Sequence, residues 1–236
     1  PHMDALAGKS FVAKNAHVQQ ALCSPSRASF LTGRRPDTTK VYEIGVNYRH
    51  VGGNFSSLPQ YFKENGYATA GFGKIFHHAR RGKDIDDISW SEPFFKTQNY
   101  DMWRTKGKSW MAADKSKRKE FPLPDETIAT AAVEAMKGLA KKYRTDNKPF
   151  MMAVGFTKPH LPYIFPEEMF DMYPLSSIDL PSNPFAPVNM PGSAWSVWPE
   201  LRGYKDIKAT GATGNINTTL PDEMVKDLRR ANYSCA

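Results

Sequence analysis

Cysteine is scarce in this chain. Two residues, Cys23 and Cys235, in a length of 236 cannot form the disulfide framework of a small secreted scaffold. Long apolar runs are missing too: none approaches the roughly 20 residues that a membrane-spanning helix needs. No repeat recurs, and no glycine-rich loop of the phosphate-cradling type occurs. Acidic residues are outnumbered, 24 Asp and Glu against 32 Lys and Arg, for a net charge of +8. A surplus of that size raises nucleic acid as a partner. The positive residues are scattered, however, with local density only in Lys106–Lys119 and Lys137–Lys148. The second cluster falls on the polar face of a helix expected from about Pro124 to Tyr143, whose apolar positions are Ile128, Ala132, Ala135, Met136 and Leu139. We therefore expect neither a nucleic-acid nor a membrane partner. An anionic glycan suits the basic surface equally well. A hydrophobic content of 40% suffices for a globular core, and the length fits one domain or the larger part of one.

What is present is concentrated in Cys23-Ser24-Pro25-Ser26-Arg27, followed by Leu31-Thr32-Gly33-Arg34. Pro25 suits the first helical position, where its missing N–H would be an orphan in any case. Ser24 is then the expected N-cap, and Gly33 the C-terminal stop. Cys23 is placed just ahead of a helix N-terminus, where unpaired amides and the positive dipole end favour an anion. Arg27, one turn further in, can reach the same spot. Taken by itself, a lone Cys is most simply a small buried thiol. The company of Pro25, Ser26 and Arg27 argues for a nucleophile instead.

The C-x-P-S-R spacing resembles the nucleophile motif of the type I, formylglycine-dependent sulfatases. The resemblance runs almost residue for residue through Ala21–Thr39. It continues in Gly53-Asn54-Phe55-Ser56, Pro59–Tyr67, Gly73-Lys74-Ile75-Phe76-His77 and Gly155–Pro162. It is dense in residues 1–78 and 124–175 and thin between 79 and 123. It implies that a formylglycine-generating enzyme oxidises Cys23 to an aldehyde, which hydrates to a geminal diol. One hydroxyl attacks sulfur, the alcohol leaves, and loss of a proton from the second expels sulfate. It also implies one calcium ion, a hard cation suited to oxygen ligands, with residue 23 as formylglycine among its ligands.

Tyr67–Phe72 reads as a strand after a helix over Pro59–Asn65, with Gly71 and Gly73 ending it. Lys74 and His77 therefore emerge at a strand's C-terminal end, where open α/β sheets place their ligands. The resemblance assigns Lys74 to the sulfate and His77 to proton handling at the nucleophile; it assigns no role to the neighbouring His78. Phe150–Phe156 is a continuous apolar run, as expected of a fully buried parallel strand. It leads into Lys158-Pro159-His160-Leu161-Pro162, where two prolines hold the loop extended. The resemblance gives His160 to sulfate binding or protonation of the leaving alcohol, and Lys158 to the same pocket.

The implied fold is α/β: an alkaline-phosphatase-like sandwich with a mostly parallel sheet and helices on both faces, incomplete in this chain. Besides the two confident strands, only Phe11–Ala13 and Ile85–Trp90 are candidates. The adjacent aspartates such a calcium site requires do not follow an apolar strand. The one Asp pair, Asp86-Asp87, lies in the polar stretch 80–91 and is rejected as a ligand pair. Residues 1–236 are thus expected to be part of one catalytic domain. Its first strand, C-terminal portion and remaining metal ligands would lie outside the chain, and the chain alone would bind calcium poorly and turn over little. Residues 176–219, rich in Pro, Gly, Ser, Asn and Thr, read as a long irregular loop within it. Sequons at Asn54, Asn217 and Asn232 lean towards a lysosomal or secreted protein, with a bacterial periplasmic or extracellular one open. Cys235 reads as a core residue of a last helix that starts near Pro221. The expected activity is hydrolysis of a sulfate ester, the 2-sulfate of a uronic acid in a glycosaminoglycan. The alternatives are a phosphate or phosphonate monoester hydrolase of the same superfamily and a non-catalytic binder of sulfated glycans.

Overall fold

A computed structural model of the chain describes residues 2–77, 85–97 and 99–236. His78 and residues 80–84 of the polar stretch lie outside the described residues. The chain packs as two compact units. One comprises Pro1–Phe94 with Gly138–Ala153, and the other Phe95–Lys137 with Val154–Ala236. The elements are α/β. Strands β1 (Ala68–Gly73) and β3 (Phe150–Gly155) form one two-stranded sheet, and β2 (Trp110–Ala113) and β4 (Tyr163–Pro166) another.

In the first unit, the helix Cys23–Thr32 packs Ala28 and Leu31 against Val41, Tyr48, Ile75, Phe76 and Trp90. It starts earlier than the sequence suggests. Leu22, extended at φ −148°, is the N-cap, and Cys23 is the first helical residue. The first N–H groups of a helix have no intrahelical acceptor, so a Pro anywhere in the first turn removes nothing. Ser24 is therefore drawn inside the helix and buried, and it is not the cap. Gly33 ends the helix as expected, with φ 66° and its N–H donating to the Ser29 carbonyl.

The helix that precedes β1, Leu58–Glu64, opens with a capping box: Ser57 accepts from the Gln60 N–H while Gln60 reaches back to Ser57. It leads through Gly66 (φ 88°) into β1, whose residues are all buried. Gly71 lies within this strand and does not end it. A Cβ there would sit 2.6 Å from the Phe94 ring and 2.8 Å from Trp90, so only glycine admits these rings. The strand stops at Gly73 and delivers Lys74 immediately afterwards.

Ile85–Trp90 is not a strand. Its centre is a 3-10 turn, Asp87–Ser89, preceded by Asp86 at φ 56°. The Asp86 side chain, 2% exposed, accepts from Arg49 Nε at 2.5 Å and Nη2 at 2.8 Å and from the Ser89 hydroxyl. Arg49 also donates to Gln60, Asn54 and the Phe55 carbonyl. Burial opposes the Arg49 charge, but the hydrogen bonds and charge of Asp86 outweigh it and hold the guanidinium above its ordinary pKa. Phe11–Ala13 is likewise irregular, with Phe11 95% exposed. β3 occupies the expected place but is only half-buried, with Val154 exposed. Among the described residues it has a single strand neighbour, so an apolar run alone does not secure burial on both faces.

The second unit is built on the parallel pair β2–β4, in register from Trp110 opposite Tyr163 to Ala113 opposite Pro166. Neither strand was expected; each is four residues long, and β4 follows Pro162 and ends on Pro166. Trp110, Phe165 and Phe170 pack with centroids 4.7–6.3 Å apart. The closing helix, Asp222–Cys235, lies against β4 and hydrogen-bonds through Arg230 to the Phe170 and Tyr173 carbonyls. Residues 176–219 are irregular apart from three 3-10 turns, the first of them Leu175–Ser177, and a helix, Lys205–Ala209. Asp206 accepts from the Ser109 N–H and hydroxyl, and Ile207 beside it is fully buried. The helix Pro124–Asp146 matches its expected start and buries Ile128, Ala132 and Leu139, while Met136 remains 48% exposed.

Replacing Arg49 by Met would strand the buried Asp86 carboxylate. The expected loss is about 3 kcal/mol of unfolding free energy, read from the urea midpoint. An unchanged midpoint would show that the pair is not structural.

Candidate active site

Cys23, at the first position of its helix and half-buried, projects beside the end of β1. The Lys74 ammonium donates to Cys23 Sγ at 3.8 Å. Arg27, one turn along the same helix, donates from Nη1 to the carbonyls of Lys74 (2.6 Å) and Ile75 (2.7 Å). These carbonyls follow the last ladder position of β1, so the guanidinium satisfies acceptors that the sheet does not. Burial pushes the Arg27 pKa below its ordinary value, with the Cys23 thiol acting the other way. Arg27 and His77 share a cavity of about 20 Å³ with Ser24, Asn47, Tyr48 and Phe76, room for one water. Cys23, Arg27, Lys74 and His77 are thus gathered where the helix N-terminus meets the strand end. Arg27 does there what sequence reasoning did not anticipate: it bonds to backbone and so locks the helix to the strand.

Lys158 and His160 belong to the second unit. The Lys158 ammonium donates to the carbonyls of His160 (2.9 Å) and Pro162 (2.5 Å), tying its own loop closed. Both X-Pro bonds of this loop, Lys158–Pro159 and Leu161–Pro162, are cis. His160 Nδ1 lies 2.6 Å from the Leu161 carbonyl. A carbonyl only accepts, so Nδ1 carries the proton, and Nε2 is the atom left for other chemistry. Glu200, from the long irregular segment, stands 3.6 Å from the same nitrogen. Asp125 is a participant that the sequence did not flag. Its carboxylate accepts the N–H groups of Thr157 and Lys158, both at 2.9 Å, which anchors the loop to the start of the long helix.

Lys158, Asp125 and Cys235 also line a cavity of about 580 Å³ within this unit, walled largely by Trp103, Leu123 and Phe165. Both cysteines are free. Burial pushes the Cys235 thiol up to about 11, with Lys158 acting in the opposite direction.

Among the described residues no group of three or more His, Cys, Asp and Glu could hold a metal ion. Asp86 is committed to Arg49 and Ser89. The described residues therefore do not make the calcium site that the resemblance implies.

The geometry is that of a cationic group set against a side chain at a helix N-terminus. The chain belongs to the sulfatase family: the family model "Sulfatase" matches residues 1–218. It is similar to iduronate 2-sulfatase of Homo sapiens (39% identical) and of Mus musculus (37%), with 99% of this chain and 44% of each relative aligned. It is also 28% identical to a sulfatase of Formosa agariphila, over 84% of this chain and 44% of that one. The chain thus spans about half the length of these curated relatives. A solved sulfatase structure, from work on glycosaminoglycan metabolism by Bacteroides thetaiotaomicron, superposes with a TM-score of 0.50 at 20% identity. The match covers 82% of this chain and 45% of that one, which supports the alkaline-phosphatase-like fold.

Two outcomes follow from this geometry. Arg27→Met should lower stability by about 3 kcal/mol, the worth of two charge-assisted bonds, in urea unfolding; a wild-type midpoint would remove Arg27 as the lock. The thiolate is the reactive form, so alkylation of Cys235 in the folded chain should stay slow at pH 8 and rise only towards pH 11. Mass spectrometry of the tryptic peptides reads this, and rapid labelling at pH 8 would show that the thiol is not held in a desolvated position.

Proposed function

We propose that this chain carries the nucleophile of a sulfuric ester hydrolase acting on a sulfated glycan, the 2-sulfate of a uronic acid in a glycosaminoglycan. The observation that supports this most directly is the Lys74 ammonium 3.8 Å from Cys23 Sγ at a helix N-terminus. A positive group and orphan backbone amides converge on the atom whose replacement would carry negative charge. As a formylglycine hydrate, residue 23 would supply one hydroxyl to attack sulfur and a second whose ionisation releases sulfate.

The chain's own residues take the remaining roles. Lys74 holds the sulfate oxygens. Arg27 keeps the helix and the strand end in register so that Lys74 and residue 23 face each other. His77 handles the proton at the nucleophile. Lys158 shapes its loop by bonding the carbonyls of His160 and Pro162. His160, with Nδ1–H fixed by Leu161, presents Nε2 to the sulfate or the leaving alcohol. The carboxylates for calcium are assigned to residues other than those described. Exposed sequon residues Asn54 and Asn217 support a lysosomal or secreted site of action. The partners are the sulfated carbohydrate and, during maturation, the formylglycine-generating enzyme.

The decisive experiment is peptide mass spectrometry of protein from its native host. A CHO side chain in place of CH2SH at residue 23 is expected, together with loss of sulfate release in Cys23→Ala. An unmodified thiol in material that hydrolyses sulfate esters would sink the proposal. An unmodified thiol in inactive material that still binds sulfated glycans would favour the binder.

A further inference from the structure

Asp125 lies in the first turn of the helix Pro124–Asp146, where the helix dipole favours a carboxylate. Its two oxygens serve another segment: Oδ1 accepts the Thr157 N–H and Oδ2 the Lys158 N–H, each at 2.9 Å. The second bond reaches further than the first. The Lys158 N–H belongs to the Thr157–Lys158 peptide group, and the carbonyl of that same planar unit accepts the His160 N–H at 3.1 Å. Asp125 thus grips one end of the peptide whose other end holds His160. A charged acceptor on the N–H also polarises the unit and strengthens its carbonyl as an acceptor.

His160 is pinned in three places as a result. Thr157 takes its N–H, the Lys158 ammonium takes its carbonyl at 2.9 Å, and the Leu161 carbonyl takes Nδ1–H at 2.6 Å. Nε2 is the polar atom of the residue outside this set. All three pins come from within residues 157–161, so they fix the loop's shape but not its place. Asp125 supplies the place, because it ties the loop backbone to a helix of 23 residues. Other contacts from outside, such as the Tyr100 hydroxyl with Thr157 Oγ1 at 3.0 Å and Glu200 beside the imidazole, join side chains and leave the peptide planes free to turn.

We propose that Asp125 is a positioning residue for His160: through the Thr157–Lys158 peptide it sets where Nε2 stands against the sulfate or the leaving alcohol. The claim rests on the role given to His160 above, while the clamp itself does not.

A double-mutant cycle in protein made in its native host tests the proposal. Asp125→Asn keeps the side chain's shape but turns one acceptor into an NH2 group facing a backbone N–H. Its kcat/KM for sulfate release from a sulfated uronic-acid disaccharide should fall between about tenfold and a hundredfold, as misplacing a reacting group does. In a His160→Ala background the same change should cost less than about twofold, because the group it misplaces is gone. A merely structural role lowers the rate by one factor in both backgrounds; that additivity, or a wild-type rate in Asp125→Asn, would overturn the proposal. Asp125→Glu keeps both acceptors one methylene further out. It should lose less than the Asn variant, and it carries the cycle if that variant does not fold. Hydrogen exchange in the 236-residue protein reads the clamp without turnover. Asp125→Asn should speed exchange of the Thr157, Lys158 and His160 amides by about tenfold or more. Faster exchange at Thr157 and Lys158 with His160 unchanged would show that the grip does not pass through the peptide, and would equally overturn the proposal. Failure of the underlying reading has a different signature: His160→Ala alone then releases sulfate at the wild-type rate.

Discussion

A single guanidinium holds the Cys23 end of the first unit together. Arg27 leaves its helix and ends on two carbonyls just past the last rung of β1. Those acceptors would otherwise be stranded at a sheet edge in a partly buried place, where an unpaired backbone group is costly. Burial alone disfavours the charge, as its lowered pKa indicates. The two bonds offset that cost and in return leave little freedom between helix and strand. Lys74 is the first residue past the strand and Cys23 the first of the helix, so their approach follows from this contact.

The same device recurs elsewhere. Lys63 donates to the carbonyls of Ile88 and Trp90, and Arg230 to those of Phe170 and Tyr173. Asp125 and Asp206 do the converse by accepting backbone N–H groups from loops. Irregular backbone cannot satisfy itself as helices and sheets do, so charged side chains complete it and set where the loops lie. Apolar clusters such as Ala28, Leu31, Ile75 and Phe76 supply cohesion, and these bonds supply register. A protein with short strands and long loops needs many of them.

Legibility from sequence varied with the range of the forces involved. The Gly33 stop, the glycine-framed β1 and the amphipathic Pro124 helix were readable because each is set by neighbours within a turn or two. The start of the Cys23 helix was misplaced because proline tolerates the whole first turn and burial of Ser24 overrode its capping tendency. Trp110–Ala113 and Tyr163–Pro166 went unread as strands because four residues carry almost no periodic signal; they are strands through each other. The apolar run Phe150–Phe156 was recognised, but its burial depends on neighbours that the run itself does not specify. Within the site, Cys23, Arg27, Lys74 and His77 were legible as residue types of interest, and the folded chain brings them near one another. The partner of each was not, and the part played by Asp125 was invisible.

What the linear chain decided here is chemistry and local geometry. A thiol, a proline and a guanidinium in five residues make a helix start with charge near it, whatever surrounds them. Tertiary structure decided direction. It turned Arg27 onto the Lys74 and Ile75 carbonyls and brought a lysine fifty-one residues away to the thiol. Such pairings depend on which acceptors the folded backbone leaves unfilled, and that is known only once every other hydrogen bond has been made.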